Sequence, residues 1–341
     1  MSAVLTRRSF LLSSAAAAVA GCGTFKAADP WSDGAAMLTE GGIRVRFLGS
    51  GAASWKPEWA RKNPHMRRQS SVLIENKVLI DFTMCSFDHL PKDCHPEVLF
   101  QTHSHGDHYN PFAAVKVGVK RMYVQETWAA AAKAEIAAAA EKLGLPAPEV
   151  IGLPFGKSVE VCGLKVMGVP ANHSTSRLTD GVLERTSLYL VEKGPSRLLY
   201  ATDTGGIPGD AARMIGIDAH VRDENFKKNP AFIDNPYVNP PKPITAFIME
   251  ATNGDLDDDF RVFVHSSVQT VARLVSGLVK TKRFVPPAGQ NAYLTHLGLK
   301  YRGWASERIE REIPTLLPEN IRKNLPAPIR AASDGLEVVL G

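Results

Sequence analysis

The stretch Gln101–Asn110, QTHSHGDHYN, decides the reading of this 341-residue chain. It sets His103, His105, Asp107 and His108 within six positions, directly after the apolar run Val98-Leu99-Phe100, and holds three of the ten histidines. Imidazole and carboxylate are donors that borderline divalent metals take. A strand ending near Thr102 would send His103 and His105 to one side, because strand side chains alternate with period two. Gly106 would then let the backbone turn, so that Asp107 and His108 approach from another direction. That geometry suits two adjacent metals better than one. The bland alternative is a solvated histidine-rich loop.

Working outward, strand-like runs alternate with helical patterns. Ile43–Leu48 reads as a first strand, and Ser71–Glu75 with Lys77–Phe82 as a hairpin around Asn76. Further strands are expected at Val98–Thr102, Val159–Val161, Leu164–Val169, Ser187–Glu192, Arg197–Thr202, Ile244–Glu250, Ala292–Thr295 and Leu336–Leu340. Thr127–Leu143 is helical by its alanine density and its closing Gly144. His265–Lys280 is an amphipathic helix pattern and Ser306–Ile313 a short helix. Such mixing implies sheets covered by helices. Ser54–Arg68 combines two tryptophans with several basic residues. Lys56, Arg67 and Arg68 are candidates there for gripping an anionic group, and Trp55 or Trp59 for stacking on a ring; a solvated surface loop is the alternative. The Pro- and Asn-rich segment 217–243 reads as a lid or binding loop.

The ends and the composition bound the setting. Thr6-Arg7-Arg8-Ser9-Phe10 followed by an apolar run to Ala20 resembles a twin-arginine export signal, too short to span a bilayer. Val19-Ala20-Gly21-Cys22 resembles a lipoprotein signal-peptidase box; a plain cleaved signal and a single-pass anchor are the alternatives. The expected organisation is a signal over 1–22, a tether over 23–42 and one hydrolase domain over 43–341. The protein is then placed on the periplasmic side of the envelope, bound to the membrane through lipid on Cys22. The net charge of +5 is mild and makes no case for bulk nucleic-acid affinity. Beyond Cys22 there remain Cys85, Cys94 and Cys162, an odd number that excludes a full disulfide framework; a Cys85–Cys94 bridge and three unpaired thiols both stay open.

One cluster does not close two metal sites. His173, Asp203 and His296 each stand where a strand-like run gives way to polar or glycine-rich sequence, and strand ends along one sheet edge are where α/β folds place their chemistry. Each is weak alone. Together, the order His103, His105, Asp107, His108, His173, Asp203, His296 resembles the metallo-β-lactamase superfamily, from Ile43 to the C-terminus. The resemblance implies the αββα fold, two mixed sheets face to face with helices outside. It implies one metal on His103, His105 and His173, a second on Asp107, His108 and His296, and Asp203 bridging. Met249-Glu250-Ala251-Thr252, His265-Ser266-Ser267 and Leu294-Thr295-His296 are similar to the phosphodiesterase branch. That branch includes tRNA 3′-processing endonucleases and a cyclic phosphodiesterase of phosphonate breakdown; the closing Ala332–Glu337 is similar to the latter. Met249 departs from a histidine common in the endonucleases, Leu297-Gly298 departs from their aromatic and serine, and no long basic arm is present, so tRNA is not an expected partner.

The carboxylates of Asp107 and Asp203 and a bridging hydroxide leave residual positive charge on two divalent ions, which favours a small anionic substrate. The expected activity is phosphodiester hydrolysis by attack of metal-bound hydroxide, with Asp107 at the centre and His265, oriented by Glu250, serving the leaving oxygen. A helix-capping role is the alternative for His265. Zinc is the first choice of metal, with manganese or iron as alternatives. Rival functions are a lactonase or β-lactam hydrolase on the same metals, and a non-catalytic envelope binding protein.

Overall fold

The computed structural model describes residues 41–53, 55–218, 242–256 and 263–341. The leader, the tether apart from Gly41 and Gly42, and all but the ends of the segment read as a lid lie outside the described residues. The chain order is β1 Ile43–Gly49, α1 Pro57–Lys62, β2 Ser71–Ile74, β3 Val78–Ile80, β4 Val98–Phe100, α2 Pro111–Lys116, β5 Arg121–Gln125, α3 Ala129–Leu143, β6 Glu149–Leu153 and β7 Ser158–Val161. It continues with β8 Leu164–Thr179, β9 Val182–Lys193, β10 Ser196–Ala201, α4 Gly209–Ile215, β11 Ala246–Glu250, α5 Val268–Lys280, β12 Tyr293–Thr295, α6 Ser306–Leu316, α7 Glu319–Arg322, β13 Arg330–Ala331 and β14 Glu337–Leu340.

The strands form two seven-stranded mixed sheets, ordered β14-β1-β2-β3-β4-β5-β6 and β13-β12-β11-β10-β9-β8-β7. The first runs antiparallel from β14 to β3 and parallel from β3 to β6. The second runs antiparallel from β7 to β10 and parallel from β10 to β13. Strand alternation sorts the apolar side chains into layers. Val98 and Phe100 of β4 join Leu198 and Tyr200 of β10 in the core between the sheets. Leu99 faces the other way, toward α2 and α3 with Trp128 and Ile136. Leu199 and Ala201 pack outward against α5 and α6, with Val271, Val275, Ile309 and Ile313. Helix, sheet, sheet, helix is the expected αββα architecture.

The differences from expectation are local. The hairpin turn is built on Glu75 and Asn76, both left-handed at φ 51° and 56°, the conformation that matches the twist of the flanking strands. β8 runs on to Thr179, so His173 lies inside a strand rather than after one. The ladder with β9 shifts register between Pro170 and Ser174 and again before Leu178, and such bulges re-aim side chains. α5 begins at Val268, where Ser267 Oγ accepts from Thr270 N–H at 3.0 Å. His265 is therefore not the capping residue. Gly106 has open space where a Cβ would stand and no left-handed backbone; the turn is closed by Tyr109 N–H and His108 N–H donating to His105 O at 2.9 Å each. Cys85 and Cys94 are free thiols, as is Cys162. Among the described residues no helix is long and apolar enough to cross a membrane.

Candidate metal centre

All seven residues expected to ligate metal converge at one edge of the sandwich. His103, His105, His173 and Asp203 form one group, and Asp107, His108 and His296 another; within each, one donor atom per residue lies within 4.8 Å of the others. The first group is supplied by the segment after β4, by β8 and by the residue pair after β10. The second comes from the same loop and from the residue after β12. Asp203 Oδ2 reaches across both, at 3.2 Å from His103 Nε2, 3.3 Å from His108 Nε2 and 3.6 Å from His173 Nε2. His108 and His296, 188 positions apart, face each other through Nε2 at 3.0 Å. Asp203 and His296 follow their strands with left-handed backbone, φ 46° and 47°. Such conformations cost about 1 kcal/mol or more in non-glycine residues and cluster where a side chain must be aimed.

The residues fit divalent metals. The outer nitrogens of four histidines are occupied by acceptors. His103 Nδ1 meets Thr102 Oγ1 at 3.0 Å, His108 Nδ1 meets Asp81 Oδ2 at 2.7 Å, His173 Nδ1 meets Val264 O at 3.3 Å, and His296 Nδ1 meets Thr252 Oγ1 at 2.7 Å. A donated outer N–H leaves the inner nitrogen with a lone pair pointing at the centre, the tautomer a metal ligand needs. The inner nitrogens then approach one another as acceptors, His103 Nε2 to His105 Nδ1 at 3.0 Å and His173 Nε2 to His105 Nδ1 at 3.3 Å. A cation between them resolves that opposition. Asp203 Oδ1 is buried 3.0 Å from His296 Nδ1, with no well-aligned hydrogen bond among the described residues.

The protein's own field is uneven. Burial brings the His173 imidazole down to about 3 against the pull of Asp203. Burial acts the same way on His296, yet Asp203 and Asp107 raise it to about 9. On Asp107 burial is outweighed by His108 and His296, which hold the carboxyl well below its ordinary value.

Glu250 and His265 stand beside the second group. His265 Nδ1 lies 3.1 Å and 3.3 Å from the two Glu250 oxygens. Glu250 also accepts from the backbone N–H of Thr204 and, at 3.2 Å, of Thr252. A fully buried carboxylate so engaged is a positioning group, although it too lies near Asp203, His265 and His296. Burial would lower the His265 imidazole, but Glu250 raises it. The ring stacks at 6.2 Å on His296 and sits 5.0 Å from His173.

Two residues escaped the sequence reading. Asp81, fully buried after β3, accepts from Thr102 N–H and Oγ1–H, Gln101 Nε2–H and His108. Its signal was an acid ending the apolar run Val78–Ile80, read there as hairpin. Glu184 accepts from Ser104 N–H at 2.7 Å and from Thr175 Oγ1–H at 3.1 Å, fixing the backbone between His103 and His105.

Arg67 is corrected: it is not an exposed anion grip. Its guanidinium is buried and donates to Ser50 Oγ at 2.8 Å, Ala332 O, Trp304 O at 3.1 Å and Ser306 Oγ at 3.0 Å, clasping three segments. Arg67→Ala is expected to destabilise the fold by about 3 kcal/mol, through orphaned carbonyls and a lost charge-assisted network. Chemical denaturation checks this; an unchanged midpoint would refute the clasp. Arg68 pairs with Asp88 at 2.7 Å and covers the Trp55 ring, and Lys56 lies over Trp59.

The fold and the clustered donors define a class, an αββα protein with a two-group histidine–carboxylate centre. The chain belongs to the beta-lactamase superfamily: residues 86–265, just over half of it, match the beta-lactamase superfamily domain. Three solved structures share the fold. YhfI from Bacillus subtilis, a metallo-beta-lactamase fold protein, is 14% identical, with 87% of this chain and 99% of that one covered and a TM-score of 0.51. The human short-form tRNase Z is 15% identical, with 86% and 98% covered and a TM-score of 0.52. Zn(2+)-bound PqqB from Methylobacterium extorquens is 14% identical, with 86% and 99% covered and a TM-score of 0.54. No match was found among curated proteins.

Proposed function

We propose that this chain is a dinuclear-metal-dependent hydrolase that cleaves a small anionic phosphodiester. The observation that carries the reading is the bridging position of Asp203 between the two donor groups, with the Glu250–His265 pair alongside. His103, His105 and His173 would hold one divalent ion, Asp107, His108 and His296 the other, and Asp203 both; zinc, manganese and iron all suit such donors. Bound there, two such ions would supply Lewis-acid stabilisation of phosphoryl oxygens and a water acidified for attack.

The chain's own residues do the rest. Glu250 accepts from His265 Nδ1–H and favours the doubly protonated ring, so that Nε2–H meets the leaving oxygen and passes its proton to it, leaving a neutral imidazole. The hydrogen-bond partners Asp81, Thr102 and Thr252 keep the ligand rings from rotating, so little reorganisation accompanies reaction. A bridging carboxylate also supports phosphodiesters over β-lactams, since a second hard anionic oxygen suits a centre that handles phosphoryl oxygens. The envelope location rests on Arg7, Arg8 and Cys22 and is part of the same proposal.

Turnover of bis(p-nitrophenyl) phosphate beside a chromogenic cephalosporin tests the reading. Hydrolysis of the diester alone supports it, and hydrolysis of the cephalosporin alone replaces it with the β-lactam reading. His265→Ala is expected to lower kcat by about 100- to 1,000-fold with metal content unchanged by elemental analysis. Loss of metal in that variant would make His265 a ligand instead.

A further inference from the structure

Arg302 was not singled out in the sequence, and its surroundings are unlike those of the other arginines near the site. It lies on the short turn Leu299–Gly303 that follows His296. That segment is tied to the wall of the centre. Leu297 N–H donates to Ser50 O at 2.8 Å, Ala52 N–H to Leu297 O at 3.2 Å, and Ala53 N–H to Asp107 Oδ2 at 2.9 Å. Arg67 N–H holds the Arg302 carbonyl at 3.2 Å. The guanidinium lies 4.9 Å from the Trp59 ring centroid, with Lys56 Nζ 5.8 Å from the same ring.

Its donors are the informative part. Nε and Nη2, the two-pronged edge that matches an oxyanion, are both buried and meet no acceptor among the described residues. A buried donor without a partner is costly, and two on one planar group call for an acceptor that the described residues do not supply. Neither Arg302 nor Lys56 has an ion pair among the described residues. Burial lowers the Arg302 guanidinium below its ordinary value, and Asp107 is the foremost charge acting against that, which sets it within electrostatic reach of the second donor group. Arg67 and Arg68, by contrast, are consumed by carbonyls and carboxylates.

We propose that Arg302, held against Trp59, forms a second anion subsite on the Asp107 side of the centre, so that the substrate is a phosphodiester carrying a further carboxylate or phosphate group. This rests on the reading of the centre as the phosphoryl site. The subsite gives specificity: Arg302 recognises an oxyanion remote from the reacting phosphorus, while the donor groups take the phosphoryl oxygens. Trp59 keeps the guanidinium planar to the incoming group and shields it from water, where such a contact gains strength.

The test is calorimetric and needs no turnover. Metal-loaded protein is titrated with propylphosphonate and with 3-phosphonopropionate, which differ chiefly by one carboxylate. The wild type is expected to bind the second about tenfold more tightly. In Arg302→Ala the two probes should bind equally, with metal content retained, and Arg302→Lys, a charge without the planar fork, should keep only part of the preference. Should the alanine variant fail to fold, Arg302→Gln supplies the same comparison. Equal binding of both probes by the wild type, or a preference that survives undiminished in Arg302→Ala or Arg302→Gln, overturns the subsite. A clear preference in a protein that hydrolyses no diester keeps the subsite and removes the phosphodiesterase reading. Diester turnover with no preference does the reverse.

Discussion

Asp203→Asn is expected to lower kcat/KM on a phosphodiester by on the order of 1,000-fold, about 4 kcal/mol of transition-state stabilisation, and to reduce bound metal. Asp203 Oδ2 is the donor that approaches His103, His108 and His173 together. Asparagine has nearly the same shape but offers a neutral oxygen and an NH2 group, so it cannot bridge two cations as a carboxylate does. Buried among imidazoles, its N–H groups would also compete for the lone pairs that should ligate metal. The fold should survive, because the amide fills the same space between the strand ends. Elemental analysis and steady-state kinetics on the same preparation check both parts. Full metal occupancy with near-wild-type turnover would remove Asp203 from the centre.

Asp81→Ala should have the largest effect on stability, about 3–5 kcal/mol by chemical denaturation, with a Tm lower by several degrees. The carboxylate has no solvent contact and gathers donors from Thr102 N–H at 2.8 Å, Gln101 Nε2–H at 2.7 Å and His108 Nδ1 at 2.7 Å. Removing it leaves those donors buried and unpaired. Asp81→Asn should fold better, since its oxygen still accepts from Thr102, yet lower metal affinity by about 10- to 100-fold because the hold on the His108 ring is weakened. Isothermal titration with zinc separates the two variants. A stable alanine variant with unchanged metal affinity would show that Asp81 does not orient His108.

Much of this was legible without coordinates because it is local. The ligands of QTHSHGDHYN sit side by side in sequence, so their density alone indicates a metal. His173, Asp203 and His296 were legible only as strand-end residues, and their meaning came from their order together. The apolar run Leu198-Leu199-Tyr200-Ala201 read as a strand, and the structure places one set of its side chains between the sheets and the other beneath helices. β5 and β6 went unread because short apolar segments carry too little periodicity to separate strand from helix. The extension of β8 past His173 was missed because Pro170 and polar residues read as the end of a strand, whereas the long β9 partner sustains pairing across the bulges.

Arg67 and Arg302 mark the boundary between the two kinds of knowledge. Both are arginines in basic, tryptophan-containing sequence, and composition cannot distinguish them. One is spent on carbonyls from distant segments, and the other presents a buried edge with no acceptor among the described residues. Asp81 likewise becomes important only when the turn after β3 comes beside the turn after β4. The sequence by itself determined the donor inventory and the layering, since ligand chemistry and strand alternation are properties of neighbouring residues. Only the tertiary structure decided which donors come together and which charges are already neutralised by neighbours. Those outcomes depend on contacts such as His108 with His296, made between residues 188 positions apart, and on the burial that such contacts create.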